Sequence, residues 1–217
     1  MNKPVKKEVP ITVVRRLPRY YRYLEDLLRH EIFKISSKEL SKKMGVTASQ
    51  IRQDLNFFGG FGQQGYGYNV ENLYYKIQSI LGIDRGFKTI IVGAGNIGKA
   101  LANYEFTHRK GFFLTGIFDV NPDIVGKEVS GCTIQHFNKI EAFLKENQID
   151  IAILTVPKST VNEVADKLYE CGMRGFWNFS NAEILKGTDA AVENVYLNDS
   201  LLTLSYKINE LSEETSK

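Results

Sequence analysis

Long apolar runs are absent from this chain, and it has only two cysteines, three histidines and one tryptophan. No segment reaches the roughly 20 consecutive apolar residues of a membrane-spanning helix. The early lysines are not followed by the apolar stretch of a secretory signal, so the expectation is a cytoplasmic protein with no membrane partner. Cys132 and Cys171 lie far apart without metal-ligand spacing. They read as small buried thiols in a reducing compartment, and no metal site is expected. His30, His108 and His136 are scattered, and none sits at a predicted strand end beside a cofactor where a proton-transfer group would be needed. No repeat or low-complexity tract appears.

What is present is an ordinary globular composition, 43% hydrophobic and 24% charged, with its charge unevenly placed. Residues 1–85 hold 15 Lys+Arg against 8 Asp+Glu, a net of +7; residues 86–217 hold 13 against 17, a net of −4. A basic first part suits a polyanion, because neutralising phosphates releases counterions.

Along residues 12–30, Leu17, Tyr20, Tyr21, Leu24, Leu27 and Leu28 recur at helical spacing and predict one helix. Ser36 with Glu39, and Thr47 with Gln50, read as two capping boxes that open short helices on either side of Gly45, a helix-turn-helix. The glycine- and aromatic-rich stretch 59–68 then suits a hairpin wing. A further helix over 69–81 ends at a boundary near 82–86. Ile51 and Leu55 face inward on the second short helix, so Ser49, Gln50, Arg52, Gln53 and Asn56 form its outer side. Glutamine and asparagine pair bidentately with adenine and arginine with guanine, which makes this a candidate base-reading surface. Arg15, Arg16, Arg19 and Lys43 are candidate phosphate contacts, and Gln63 and Gln64 at the wing tip are candidate groove contacts.

From residue 87 the pattern alternates. Strands are predicted over 87–92, 112–119, 149–156 and 174–179, helices over 96–107, 138–147 and 159–171, and a short strand near Val195 precedes a last helix over 198–211. That alternation predicts a parallel sheet covered on both faces. Gly93, Ala94, Gly95, Asn96, Ile97 and Gly98 form a GxGxxG loop between the first strand and its helix. The glycines permit a tight turn, close approach of a pyrophosphate and close helix packing, with the helix N-terminus facing the anion. Asp119, 26 positions after Gly93 at the end of the next strand, can bond ribose hydroxyls. No arginine follows for a 2′-phosphate, so NADH/NAD+ is expected rather than the phosphorylated form. Thr155, Val156 and Pro157, and Asn178, Phe179 and Ser180, end two later strands where parallel sheets meet ligands. Leu197, Leu201, Leu204, Ile208 and Leu211 make an apolar seam on the last helix that suits a dimer interface.

The sequence resembles the Rex redox-sensing repressors of bacteria. The likeness runs through residues 16–24 (RLPRYYRYL), 51–55 (IRQDL) and 65–70 (GYGYNV) to GAGNIG, Phe118-Asp119 and 154–157 (LTVP). It implies a winged helix-turn-helix domain (1–85), an NAD(H)-binding Rossmann domain (86–195), and a C-terminal dimerisation helix and tail (196–217) exchanged between subunits. It also implies a homodimer that binds palindromic operator DNA and releases it when NADH is bound. Many members carry basic residues at Gln63-Gln64. Many also carry, at Tyr196, an aspartate that pairs with a tyrosine and an arginine matching Tyr104 and Arg16; nearby Asp199 is the candidate substitute. Two rival classes are an NAD-dependent oxidoreductase, opposed by the lack of a substrate domain, and a CoA-binding module, which the ribose-binding Asp119 and the glycine loop match only in part.

Overall fold

The computed structural model describes residues 9–59, 62–63, 67–104, 111–184 and 189–215. The chain divides into two compact units, Met1–Arg85 and Gly86–Lys217.

The first unit begins with α1 (Ile11–Val14) and α2 (Leu17–Arg29). The single helix expected over 12–30 is therefore broken at Arg15-Arg16. Pro18 lies in the first turn of α2, where its missing N–H costs nothing; inside one continuous helix it would lose a bond and clash with the carbonyl four residues back. Leu17, Tyr20, Tyr21, Leu24 and Leu27 are buried as expected. A strand not anticipated, β1 (Lys34–Ile35), precedes α3 (Ser37–Met44) and α4 (Ala48–Asn56). Ser36 and Glu39 complete the capping box, with the Ser36 Oγ accepting from the Glu39 amide at 3.1 Å and the Glu39 carboxylate accepting from the Ser36 amide at 2.8 Å. Gly45 then stops α3 in the left-handed region at φ +62°. The second box is only half made: Thr47 Oγ1 accepts from the Gln50 amide at 3.1 Å, but the Gln50 side chain turns to Asp54 instead.

The hairpin expected over 59–68 is present as β2 (Gly62–Gln63) antiparallel to β3 (Gly67–Asn69), with β1 on the other side of β3. Gly67 is required there, since its φ is +75° and a Cβ would stand 2.6 Å from the Ile35 carbonyl oxygen. Gln64 lies outside the described residues. Helix α5 (Val70–Leu81) starts at Asn69, whose side chain caps the Asn72 amide, and ends at Gly82. Leu40, Met44, Ile51, Leu55, Leu73 and Ile77 join the α2 stripe in one core.

The second unit is a seven-stranded sheet made of β4 (Phe87–Val92), β5 (Phe112–Asp119), β6 (Glu128–Val129), β7 (Cys132–His136), β8 (Ile151–Leu154), β9 (Gly175–Asn178) and β10 (Ala191–Asn194). Its order is β10-β9-β8-β4-β5-β7-β6, parallel except for β6. Setting β6 aside and counting from β4, this is the 3-2-1-4-5-6 arrangement of the doubly wound dinucleotide folds, whose order reverses between β4 and β8. β6 and β7 were not anticipated. Helices α6 (Asn96–Ala102), α7 (Ile140–Glu146) and α8 (Val161–Glu170) follow their strands. The predicted extension of α6 past residue 104 lies outside the described residues. Thr89 to Val92 are buried on both faces of the sheet: Ile90, Val92, Phe118 and Leu154 pack with α7 and α8, while Ile91, Ile117 and Ile153 pack with Ala94 and Ala102.

The last helix, α9 (Leu197–Thr215), leaves every described side chain exposed, including Leu201 (63%), Leu204 (50%), Ile208 (52%) and Leu211 (63%). Packing within the chain does not cover this seam. Cys132 and Cys171 are half-buried free thiols, pushed above the ordinary thiol range first by burial. Among the described residues no helix is long and apolar enough to cross a membrane, and no group of three metal-ligating side chains occurs.

Candidate nucleotide cleft and nucleic-acid interface

The GAGNIG loop lies at the carboxyl end of β4, beside the point where the strand order reverses, and each glycine does something different. At Gly93 φ is +102° and a Cβ would meet the Thr155 carbonyl at 2.8 Å, so only glycine makes this turn. At Gly98 a Cβ would sit 1.9 Å from the Gly93 carbonyl oxygen, which is how closely α6 returns to the loop. At Gly95 a Cβ would meet nothing within 4 Å. Space left empty in front of a helix N-terminus is what a pyrophosphate requires. Asn96 and Ile97 are exposed beside it, whereas Gly93, Ala94 and Gly98 are buried.

Asp119 ends β5 facing that loop. Its Oδ2 accepts from the Ala94 amide at 2.6 Å and its Oδ1 from the Asn121 amide at 2.8 Å. The carboxylate is thereby fixed and half-exposed beside the glycine loop. His136 ends β7 opposite Asp119, with Nδ1 accepting from the Asn138 amide; it stands at a strand end, but on the side of the sheet away from β8 and β9.

On the β8–β9 side the outcome is mixed. Thr155 Oγ1 donates to the Gly93 carbonyl at 2.6 Å, so this hydroxyl ties the two crevice loops together. Asn178 is buried and used up locally: its amide donates to the Ala182 carbonyl (2.6 Å) and Asn194 Oδ1 (2.8 Å), and its oxygen accepts from the Ser180 amide (3.0 Å). These two side chains shape the crevice. Ser180 Oγ is buried with no hydrogen-bond partner among the described residues, which makes it the available polar group at this end. Phe179 packs edge-on against Trp177 at 4.6 Å. Val156 is half-buried, Pro157 is exposed and Tyr104 is exposed at 64%.

In the first unit Ser49, Arg52, Gln53 and Asn56 stand exposed on α4, and Lys43 is exposed on α3. Arg52 Nη1 donates to Ser37 Oγ at 3.0 Å, which steadies it without removing it from solvent. Arg15 and Arg19 are exposed, and the Arg19 guanidinium comes within 4.0 Å of where a Cβ would stand at Gly45, in the turn between the helices. Gln50 and Arg16 are placed otherwise: both bond Asp54, a fully buried residue of α4. Burial alone would push the Asp54 carboxyl up, but bonds from Arg16, Gln50 and Tyr20 outweigh it and hold it below the usual range. Nothing is described of the Gln63 side chain.

The redox-sensing transcriptional repressor Rex of Caldicellulosiruptor saccharolyticus is 56% identical over 205 residues, 94% of each chain. The chain belongs to the Rex family of redox-sensing transcriptional repressors. Solved Rex-family structures have the same fold: RSP in complex with beta-NAD+ and operator DNA matches at TM-score 0.89 and 50% identity over 97% of each chain, and RSP with beta-NADH at 0.89 and 47% over 99%. A model described as a putative DNA-binding protein N-terminus matches residues 8–56, and one described as a CoA binding domain matches 84–182. Rex relatives are named as transcriptional repressors, which favours the repressor reading over the oxidoreductase alternative.

Sequence reasoning missed Asp54, although it stands within the quoted IRQDL run. Its place between Ile51 and Leu55 on the inner face was the available signal, because a carboxylate on a buried stripe must have partners. Both arms of the Arg16 fork are held by Asp54, at 2.6 and 2.7 Å.

Proposed function

We propose that this Rex chain holds operator DNA as a homodimer in the cytoplasm and releases it when NADH occupies the crevice of its Rossmann unit. The observation that carries the nucleotide reading is the open space at Gly95 in front of α6, with the Asp119 carboxylate fixed beside it. The pyrophosphate would lie over residues 93–98, the adenosine ribose against Asp119, and the nicotinamide towards Thr155–Pro157 and Phe179-Ser180, where the Ser180 hydroxyl is the group able to bond it. Tyr104 is a further candidate contact. CoA shares a ribose and a pyrophosphate with NADH, but its ribose carries a 3′-phosphate, which the Asp119 carboxylate disfavours.

On the DNA side, Ser49, Arg52, Gln53 and Asn56 would read bases in the major groove, Arg15, Arg19 and Lys43 would hold phosphates, and Gln63 and Gln64 would reach the minor groove by hydrogen bonding. An operator of twofold symmetry needs two recognition helices about one helical turn apart. The uncovered seam of α9 is the surface that a second copy would bury. Titration followed through Trp177, the only indole, tests the nucleotide reading: NADH and NAD+ should saturate the signal and CoA should not. Saturation by CoA alone would replace NADH as the ligand.

A further inference from the structure

We infer that Asp54 is a positioning residue for operator recognition: it withholds Arg16 and Gln50 from the DNA and, through them, fixes the inner face of α4 against the start of α2. The inference rests on the DNA-binding reading above and assigns Arg16 and Gln50 a role different from base or phosphate contact.

The geometry is saturated. Asp54 Oδ2 accepts from Arg16 Nε at 2.6 Å and Tyr20 OH at 2.8 Å; Oδ1 accepts from Arg16 Nη2 at 2.7 Å and Gln50 Nε2 at 2.9 Å. Four donors fill the acceptor sites of one carboxylate, so the group has no capacity left for water or DNA. Two of the donors form the planar fork of one guanidinium, which sets the direction as well as the distance of the contact. Arg16 is the cap residue of α2, and Asp54 lies 38 positions later on the helix that would enter the groove. Gln50, one turn before Asp54 on α4, is drawn back along its own helix.

A buried ion pair adds little stability over an apolar packing of similar volume. What it supplies at this place is a single orientation of α4 relative to α2. With its charge neutralised by Asp54, Arg16 also adds little to the field that draws DNA nonspecifically, which leaves that role to exposed cations such as Arg15, Arg19, Lys43 and Arg52.

The test uses the full-length protein and an operator duplex that the wild type selects from a randomised library. Affinities for operator and for random duplex are measured by fluorescence anisotropy over a salt series, for wild type, Asp54→Asn and Arg16→Lys. Lysine keeps the charge and lacks the fork. Both variants should lose roughly tenfold in operator preference, the scale of one good base contact. Random-duplex affinity should persist in Arg16→Lys and rise in Asp54→Asn, whose salt slope steepens by about 0.9 as the freed Arg16 finds a phosphate. Wild-type operator preference in Arg16→Lys overturns the inference, because lysine would then serve as the point charge that a phosphate contact needs. An equal loss on both duplexes in Asp54→Asn also overturns it. If Asp54→Asn loses its helical circular dichroism, Arg16→Lys decides alone. A wild type that selects no sequence overturns the DNA-binding reading, and the role of Asp54 with it.

Discussion

Replacing Gly95 and Gly98 by alanine, one at a time, should separate ligand space from packing space within one loop. A methyl at Gly98 would stand 1.9 Å from the Gly93 carbonyl oxygen, a backbone atom that cannot swing aside. Relief requires α6 to move off β4, and overpacking of this kind costs about 1–3 kcal/mol or more. For a chain of this size that is roughly 2–4 °C in Tm per kcal/mol. A methyl at Gly95 meets no atom of the protein within 4 Å, and the backbone there, at φ −72° and ψ −164°, suits any residue. The loss of a glycine at the helix start and the gain from a stiffer unfolded chain nearly cancel, leaving stability within about 0.5 kcal/mol of wild type. The methyl would instead enter the volume proposed for the pyrophosphate, and NADH affinity should fall by at least roughly tenfold. Calorimetry without nucleotide gives Tm, and Trp177 fluorescence gives the affinity. NADH binding at wild-type strength by Gly95→Ala would mean that the pyrophosphate does not lie at Gly95, and an unchanged Tm for Gly98→Ala would mean that α6 is not packed against the loop at Gly98.

Asp119→Ala removes the carboxylate that faces the Ala94 amide. It should weaken NADH and NAD+ alike by about 1.5–3 kcal/mol for each ribose bond lost, while operator binding without nucleotide stays near wild type; isothermal titration checks the first and anisotropy the second. Truncation after Asn198 removes the exposed seam of α9 and should give a monomer by sedimentation that keeps only weak, salt-sensitive DNA affinity; a truncated dimer that still holds operator would place the interface elsewhere. Asp54 is held below its ordinary range by bonds from Arg16, Gln50 and Tyr20 that outweigh its burial. A lowered folded value means stability that is complete above the unfolded value and is lost as the pH falls through the folded one. Thermal stability of the N-terminal unit should therefore be flat down to about pH 5 and decline below about pH 4, with a smaller acid decline in Asp54→Asn.

Elements whose cause is local were legible in the sequence. The Ser36–Glu39 box, the Gly45 stop, the helix over 69–81 and the apolar runs of β4 and β5 each follow from residues within one turn or one strand, and the structure has them where spacing puts them. β6 and β7 were not legible, because in Cys132–His136 only Ile134 is buried and the strand is held by its pairing with β5. The break at Arg15-Arg16 was signalled by Pro18, but the apolar stripe continues across it. At the site, the glycine loop and Asp119 came from spacing, whereas Asn178 and Gln50 looked like ligand groups because sequence shows a polar side chain without showing its partner. Their bonds to Asn194 and Asp54 depend on tertiary packing or on a side-chain direction that spacing leaves open.

A nucleotide can shift DNA occupancy only by binding the DNA-holding and DNA-free states of the protein with different affinity. The most direct measurement is operator affinity at fixed salt with saturating NADH, with saturating NAD+ and with neither. NADH should weaken operator binding by at least roughly tenfold, about 1.4 kcal/mol, while NAD+ should leave it close to the nucleotide-free value. Equal operator affinity with NADH and NAD+ would mean that the redox state of the nucleotide does not set DNA occupancy.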